Sequence, residues 1–146
     1  MKLIHAIPAL PASDMERSAA FYRDKLGFTV VFQDDGFTKL LRDRVELHLW
    51  LANDESWRGR DGTRPVVSGA ESFIAGTHSC RIAVEGVDEL YSGIQSFGIL
   101  HPNGHIENMP WGTRDFGVLD PDGNLLTFFE RLQPSPTHPA SGDRDR

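Results

Sequence analysis

The segment Ser13-Asp14-Met15-Glu16-Arg17-Ser18-Ala19-Ala20-Phe21-Tyr22-Arg23-Asp24-Lys25-Leu26-Gly27-Phe28 carries a complete helix signal. Ser13 and Glu16 stand at capping-box spacing, so the hydroxyl and the carboxylate can satisfy free amides of the first turn, and a helix is expected to start there and run to about Leu26. Ala19, Tyr22 and Leu26 fall at three- and four-residue steps and predict a buried stripe. Gly27 then supplies the left-handed conformation that ends the helix. About seventy residues on, the plan returns: Val87, Leu90, Tyr91 and Ile94 keep helical spacing, and Gly98 follows Phe97 as Gly27 follows Leu26.

Working outward, each helix is preceded by a strand-like run, Leu3 to Leu10 and His78 to Val84. After the first helix come Thr29 to Phe32, Phe37 to Leu41 and Val45 to Leu51. After the second come a weaker run at His101 to Ile106, then Asp115 to Leu119 and Leu125 to Glu130. Asp120-Pro121-Asp122-Gly123-Asn124 joins the last two with strong turn chemistry. The order is therefore strand, helix, two or three strands, stated twice, with modules at about 1–51 and 77–132 forming one domain. Residues 52–76, rich in Gly, Pro, Asp, Arg and Ser, read as a long connection, with Trp57 and Phe73 as isolated large apolar residues. Residues 133–146 hold three prolines and hardly any large apolar residue, which predicts a disordered tail.

Composition narrows the function. A formal charge of −6 argues against nucleic acid and anionic lipid, which require clustered Lys and Arg. No apolar run approaches the ~20 residues of a spanning helix, and the amino terminus is too interrupted for a signal peptide, so a cytoplasmic chain is expected. The lone Cys80, among strand residues, is expected to be a buried inert thiol.

The doubled plan, the Phe21-Tyr22 pair, Leu26-Gly27-Phe28 and the Asp120 to Asn124 turn resemble the vicinal oxygen chelate superfamily, which includes glyoxalase I, extradiol dioxygenases, fosfomycin-modifying enzymes and bleomycin resistance proteins. The resemblance spans about residues 3 to 131 and implies an α+β fold of tandem βαβββ modules forming a cupped mixed sheet. Ala6-Ile7-Pro8-Ala9-Leu10, Phe32-Gln33-Asp34-Asp35-Gly36-Phe37 and Pro110-Trp111-Gly112 are similar to segments of the bleomycin-binding branch. That likeness implies a homodimer that exchanges an arm around Pro8, with drug clefts lined by Phe32, Asp34, Asp35, Phe37, Trp50, Trp111 and Gly112. It also implies antibiotic resistance through sequestration of a bleomycin-family glycopeptide, with no cofactor of the protein's own and any metal arriving on the drug.

Read as residues, the same positions keep plainer alternatives. Phe32 is equally a core residue, and Asp34 and Asp35 are ordinary turn formers. Trp111, between Pro110 and Gly112, is poorly placed for a core. Enzymes of the superfamily hold a divalent metal with His, Gln or Glu; alignment on the two helices puts Ile7 and Ser79 at the strand positions, and counting from Asn124 gives Thr127. None of the three is a good ligand. A metal would need the displaced cluster His5, Glu46 and His48. His101 and His105 flank Asn103-Gly104 and read as turn residues. The competing functions are a metal-dependent lyase, transferase or dioxygenase on that displaced cluster, or a binder of another planar natural product.

Overall fold

A computed structural model describes residues 1–52, 70 and 78–132. The order is β1 (Ala9–Ala12), α1 (Met15–Asp24), β2 (Thr29–Gln33), β3 (Phe37–Arg42), β4 (Val45–Leu51), β5 (Ser79–Ala83), α2 (Val87–Ile94), β6 (Glu107–Asn108), β7 (Thr113–Leu119) and β8 (Leu125–Arg131). Two four-stranded mixed sheets result, ordered β1-β4-β3-β2 and β5-β8-β7-β6. In each, the strand before the helix pairs parallel with the last strand of its half, and the other pairs are antiparallel. The expected α+β arrangement of repeated βαβββ units is what forms. The expected connection at 52–76, Trp57 and Phe73 included, lies outside the described residues except for Ala52 and Ala70, and so does the expected tail. Among the described residues no helix is long and apolar enough to cross a membrane.

Local chemistry explains most boundaries and corrects some. The N-cap of α1 is Asp14, whose carboxylate accepts the Arg17 amide at 3.0 Å; Ser13, expected in that role, donates its amide and its hydroxyl to Asp122 instead. A partner brought from the far end of the chain outcompetes the local capping box. The stripe of Ala19, Tyr22 and Leu26 is buried as expected, and Gly27 takes φ 70° just beyond the helix. Gly86, with φ 85°, precedes α2 and offers no side-chain cap; its amide and that of Val87 donate to the Glu130 carboxylate of β8 at 3.2 and 3.1 Å. The first strand is Ala9–Ala12 rather than Leu3 to Leu10. Pairing with β4 begins only after Pro8, and residues 1–7 lie exposed. The weak run expected at His101 to Ile106 is a turn, closed by the Gly104 amide on the His101 carbonyl, and β6 follows it at Glu107–Asn108.

The core joins both halves. Leu10, Tyr22, Leu26, Leu40, Leu47 and Leu49 meet Val87, Phe116, Val118 and Leu126 in one buried cluster. Between the halves stands a polar hub built from the Asp120 to Asn124 turn. Asp120 accepts the Tyr22 hydroxyl at 2.8 Å, the Asn124 side-chain amide at 2.7 Å, and the backbone amides of Asp122 and Asn124 at 2.9 Å each. Asn124 also donates to the Pro11 carbonyl at 2.9 Å, and Asp122 binds Ser13, Arg17 and Ser18 of the first half. Burial raises the Asp120 carboxyl above its ordinary range despite these donors, and burial with the adjacent Asp120 charge pushes the Cys80 thiol up to about 11. Cys80 is thus an un-ionised thiol packed against the core, half-buried rather than buried as expected.

Candidate functional site

The helices and core occupy one side of the first sheet, and the other side is open. Alternation along β3 and β4 buries Thr38, Leu40, Leu47 and Leu49 and turns Phe37, Lys39, Glu46, His48 and Trp50 the opposite way. Register places Phe37 across from Trp50 and Lys39 across from His48, with Ala9 and Pro11 of β1 completing the rows. Simple alternation from the inward-facing Val30 would send Phe32 into the core. A register shift between Val30 and Phe32 places Phe32 opposite Lys39 instead, on the open face, where it is 51% exposed.

Phe37 is the centre of the resulting ring cluster. Its centroid lies 6.0 Å from Phe32, 5.4 Å from Trp50 and 4.9 Å from His48, the last two edge-on. Asp34 and Asp35 form the tip of the β2–β3 hairpin beside it. One Asp34 oxygen accepts the Gly36 and Phe37 amides at 2.8 and 2.7 Å and so builds the turn, while Asp35 is exposed. Below the rings, His48 Nε2 is 2.7 Å from Glu46, which also pairs with Lys39 at 3.5 Å. Partial burial works against ionisation of Glu46, yet the His48 hydrogen bond and the Lys39 ammonium outweigh it and hold the carboxyl below its usual range.

The remaining predicted residues lie elsewhere. Trp111 and Gly112 form a tight turn before β7 in the second sheet, closed by the Gly112 amide on the Met109 carbonyl at 3.1 Å, with Gly112 at φ 90°. Trp111 is 66% exposed and, among the described residues, makes no ring contact with the Phe37 cluster. One chain thus brings Phe32, Phe37 and Trp50 together and leaves Trp111 apart. Pro8 stands at the root of the exposed amino-terminal segment, its carbonyl accepting the His48 amide at 3.0 Å. The displaced metal cluster does not assemble: Glu46 and His48 bond to each other, His5 lies in the exposed segment, and no group of three or more His, Cys, Asp or Glu gathers among the described residues. Of the three aligned ligand positions, Ile7 precedes β1, while Ser79 and Thr127 are uncharged strand residues.

Two groupings escaped sequence reasoning. His48 belongs to the ring cluster, which its two-residue spacing from Trp50 on one strand could have revealed. On the open face of the second sheet, Arg81 lies over the Phe129 ring at 4.6 Å and bonds to the buried Asp115 at 3.0 Å, a pairing across 34 residues with no local signal. A cavity of about 950 Å³ on the helix side, lined by Phe28, Arg42, Val45, Leu90 and Phe97 among others, shares no residue with the aromatic face. The flat rings on the open face, Phe32 exposed and Phe37 and Trp50 half-buried, with carboxylates beside them, make the aromatic face the better site for a planar cationic ligand; a stacked ring pair adds about 0.5–1.5 kcal/mol beyond the area it buries.

Comparison with known proteins agrees with this geometry. The family model described as the glyoxalase/bleomycin resistance protein/dioxygenase superfamily matches residues 2–128. A bleomycin resistance protein of Geobacillus stearothermophilus is 54% identical over 131 residues, covering 90% of this chain and 99% of that protein. Among solved structures, the bleomycin resistance determinant encoded on the transposon Tn5 superposes with TM-score 0.66 at 28% identity, covering 90% of this chain and 100% of the other. The bleomycin-binding protein of bleomycin-producing Streptomyces verticillus, complexed with copper(II)-bleomycin, gives 0.65 at 25% identity, covering 88% and 96%. The repeated βαβββ halves, the hub between them and the family match over nearly the whole described chain establish that this protein belongs to the glyoxalase/bleomycin resistance protein/dioxygenase superfamily.

Proposed function

We propose that this protein confers antibiotic resistance by binding a bleomycin-type glycopeptide and holding it away from its target, one drug per chain, with no bond made or broken. The observation that carries the reading is the open aromatic face: Phe32, Phe37 and Trp50 stand together on one side of a sheet, with Asp34 and Asp35 at its rim. Planar heterocycles stack on such rings, and the acidic rim attracts a cationic tail. The 54% identity to a bleomycin resistance protein supports the choice of ligand, as does the likeness to a bleomycin-binding protein solved with copper(II)-bleomycin. Any metal arrives on the drug, and the protein works in the cytoplasm without a cofactor of its own.

Sequestration requires free drug to fall below its damaging level at cellular protein concentration, hence tight binding. A twofold dimer supplies the missing wall, with Trp111 and Gly112 of one chain facing the ring cluster of the other. The amino-terminal segment supports this assembly: Leu3 and Ile4 are 94% and 76% exposed in the single chain, as expected of an arm that packs on a partner beyond Pro8. Replacing Pro8 should weaken the dimer in ultracentrifugation; an unchanged dimer counts against the exchanged arm.

The decisive experiment is calorimetric titration of metal-stripped protein with copper(II)-bleomycin, alongside Trp111→Ala. Saturation near one drug per chain, weakened clearly in the variant, is the expected result. No heat and no change in tryptophan fluorescence would sink the assignment in favour of another planar ligand or an enzymatic role.

A further inference from the structure

His48 is the member of the ring cluster that differs chemically from the rest. Phe32 and Phe37 offer only faces and edges, and Trp50 offers an N–H donor, whereas an imidazole can carry a free electron pair. The ring sits edge-on to Phe37 at 4.9 Å and 76°, in the row between Lys39 and Ala9, and the side chain is 24% exposed.

Its surroundings select one tautomer. The Glu46 carboxylate, 2.7 Å from Nε2, accepts a hydrogen bond and so keeps the proton on that nitrogen. Lys39, 3.5 Å from the other Glu46 oxygen, favours the ionised carboxylate. The neutral ring therefore keeps its lone pair on Nδ1, for which no donor stands among the described residues. A carboxylate behind one ring nitrogen fixes the plane of the ring and the tautomer, the same device that orients histidines toward electron-pair acceptors generally.

We propose that His48, aimed by Glu46, is a ligand-contacting residue whose Nδ1 lone pair meets an electron-pair acceptor of the bound molecule. The inference rests on the binding reading above and deepens it. The shared chemistry admits two sources, an N–H or O–H donor of the organic ligand or the divalent ion that the ligand carries. Stacking on Phe37 then sets where a flat ligand lies, and His48 sets how far along the face it slides.

The test titrates wild type, His48→Phe and His48→Gln with metal-free bleomycin and with copper(II)-bleomycin. His48→Phe keeps a flat ring against Phe37 and removes the lone pair; His48→Gln removes the ring and restores an acceptor. Loss of one such contact is expected to weaken His48→Phe about tenfold, with His48→Gln within about threefold of wild type. A loss with both probes identifies an organic donor as the acceptor of the pair. A loss confined to the copper form, with the change in the copper spectrum seen on binding to wild type missing in His48→Phe, identifies the ion. Unchanged affinity of His48→Phe for both probes overturns the proposal, and so does a larger loss in His48→Gln than in His48→Phe, which would mean that only ring packing matters. Wild type that binds neither probe removes the binding reading and His48 with it, whereas wild type that binds beside an unaffected His48→Phe removes the His48 role alone. Thermal unfolding of each variant confirms that the folded chain is what was titrated.

Discussion

The two halves of the chain repeat one order of elements, yet the faces they leave open differ in kind. The first presents Phe32, Phe37 and Trp50 as a cluster of rings over a Glu46–His48 pair; the second presents Arg81 spread over Phe129 and tied to the buried Asp115. Inward-facing residues, by contrast, are alike, with Leu40, Leu47 and Leu49 answered by Phe116, Val118 and Leu126. Close packing constrains every volume in a core, so a repeated unit keeps its inner face, whereas the outer face is free to acquire chemistry. The helix starts diverge in the same sense. The Asp14 cap of α1 comes from three residues away, and the Glu130 cap of α2 comes from the last strand.

The largest effect is expected where the halves meet. Asp120→Asn turns an amide toward groups that already donate, leaving the Tyr22 hydroxyl and the Asn124 side chain short of an acceptor, and should cost about 3 kcal/mol, read as a lower denaturant midpoint at unchanged slope. The same site gives a pH signature. Because the folded Asp120 carboxyl is raised, the native state holds its proton where the unfolded chain has lost it, so this group's contribution to stability falls as pH rises from the ordinary carboxyl range through the raised value. Asp120→Asn should remove that slope; a variant as stable and as pH-sensitive as wild type would show that the hub does not join the halves energetically.

Next comes the contrast between open faces. Phe37→Ala removes the ring that touches three others and should weaken copper(II)-bleomycin by about 2 kcal/mol, roughly thirtyfold. Phe129→Ala on the second face should cost less in the same titration, and an equal loss would erase the asymmetry. Smaller still are the caps. Glu130→Ala should destabilise by about 1 kcal/mol, and Asp14→Ala, at an exposed helix start, by no more than that. The reverse ranking would mean that the long-range cap of α2 is redundant. Cys80, with its thiol pushed up to about 11, should resist alkylation at neutral pH until the protein unfolds.

Much of the frame was legible in the sequence because its signals are local. Tyr22 and Leu26 at helical spacing, Gly27 after them, the period-two strands at Phe37 to Leu51, and the turn at Asp120 each depend on neighbours a few residues away. The misreadings share one cause. Ser13 looked like a cap because Glu16 is at the right distance, but Asp122, 109 residues on, takes its hydroxyl. Leu3 to Leu10 looked like a strand from its apolar content, yet a strand needs a partner, and the chain pairs with β4 only from Ala9 onward. Of the candidate site, Phe37 was legible in the hairpin segment and Trp50 through the family likeness; the two-residue spacing of His48 from Trp50 put both on one face, while its contact with Phe37 depended on cross-strand register.

The sequence by itself determined two βαβββ halves, their helical stripes and the turn between the last strands, since propensity, periodicity and capping act over one or two turns of chain. The tertiary structure alone decided which face Phe32 joins. One extra residue between Val30 and Phe32 shifts the register and carries that ring from the core side to the open side, beside Phe37. A period-two pattern cannot announce such a shift, because side chains alternate regardless of which partner each one finds.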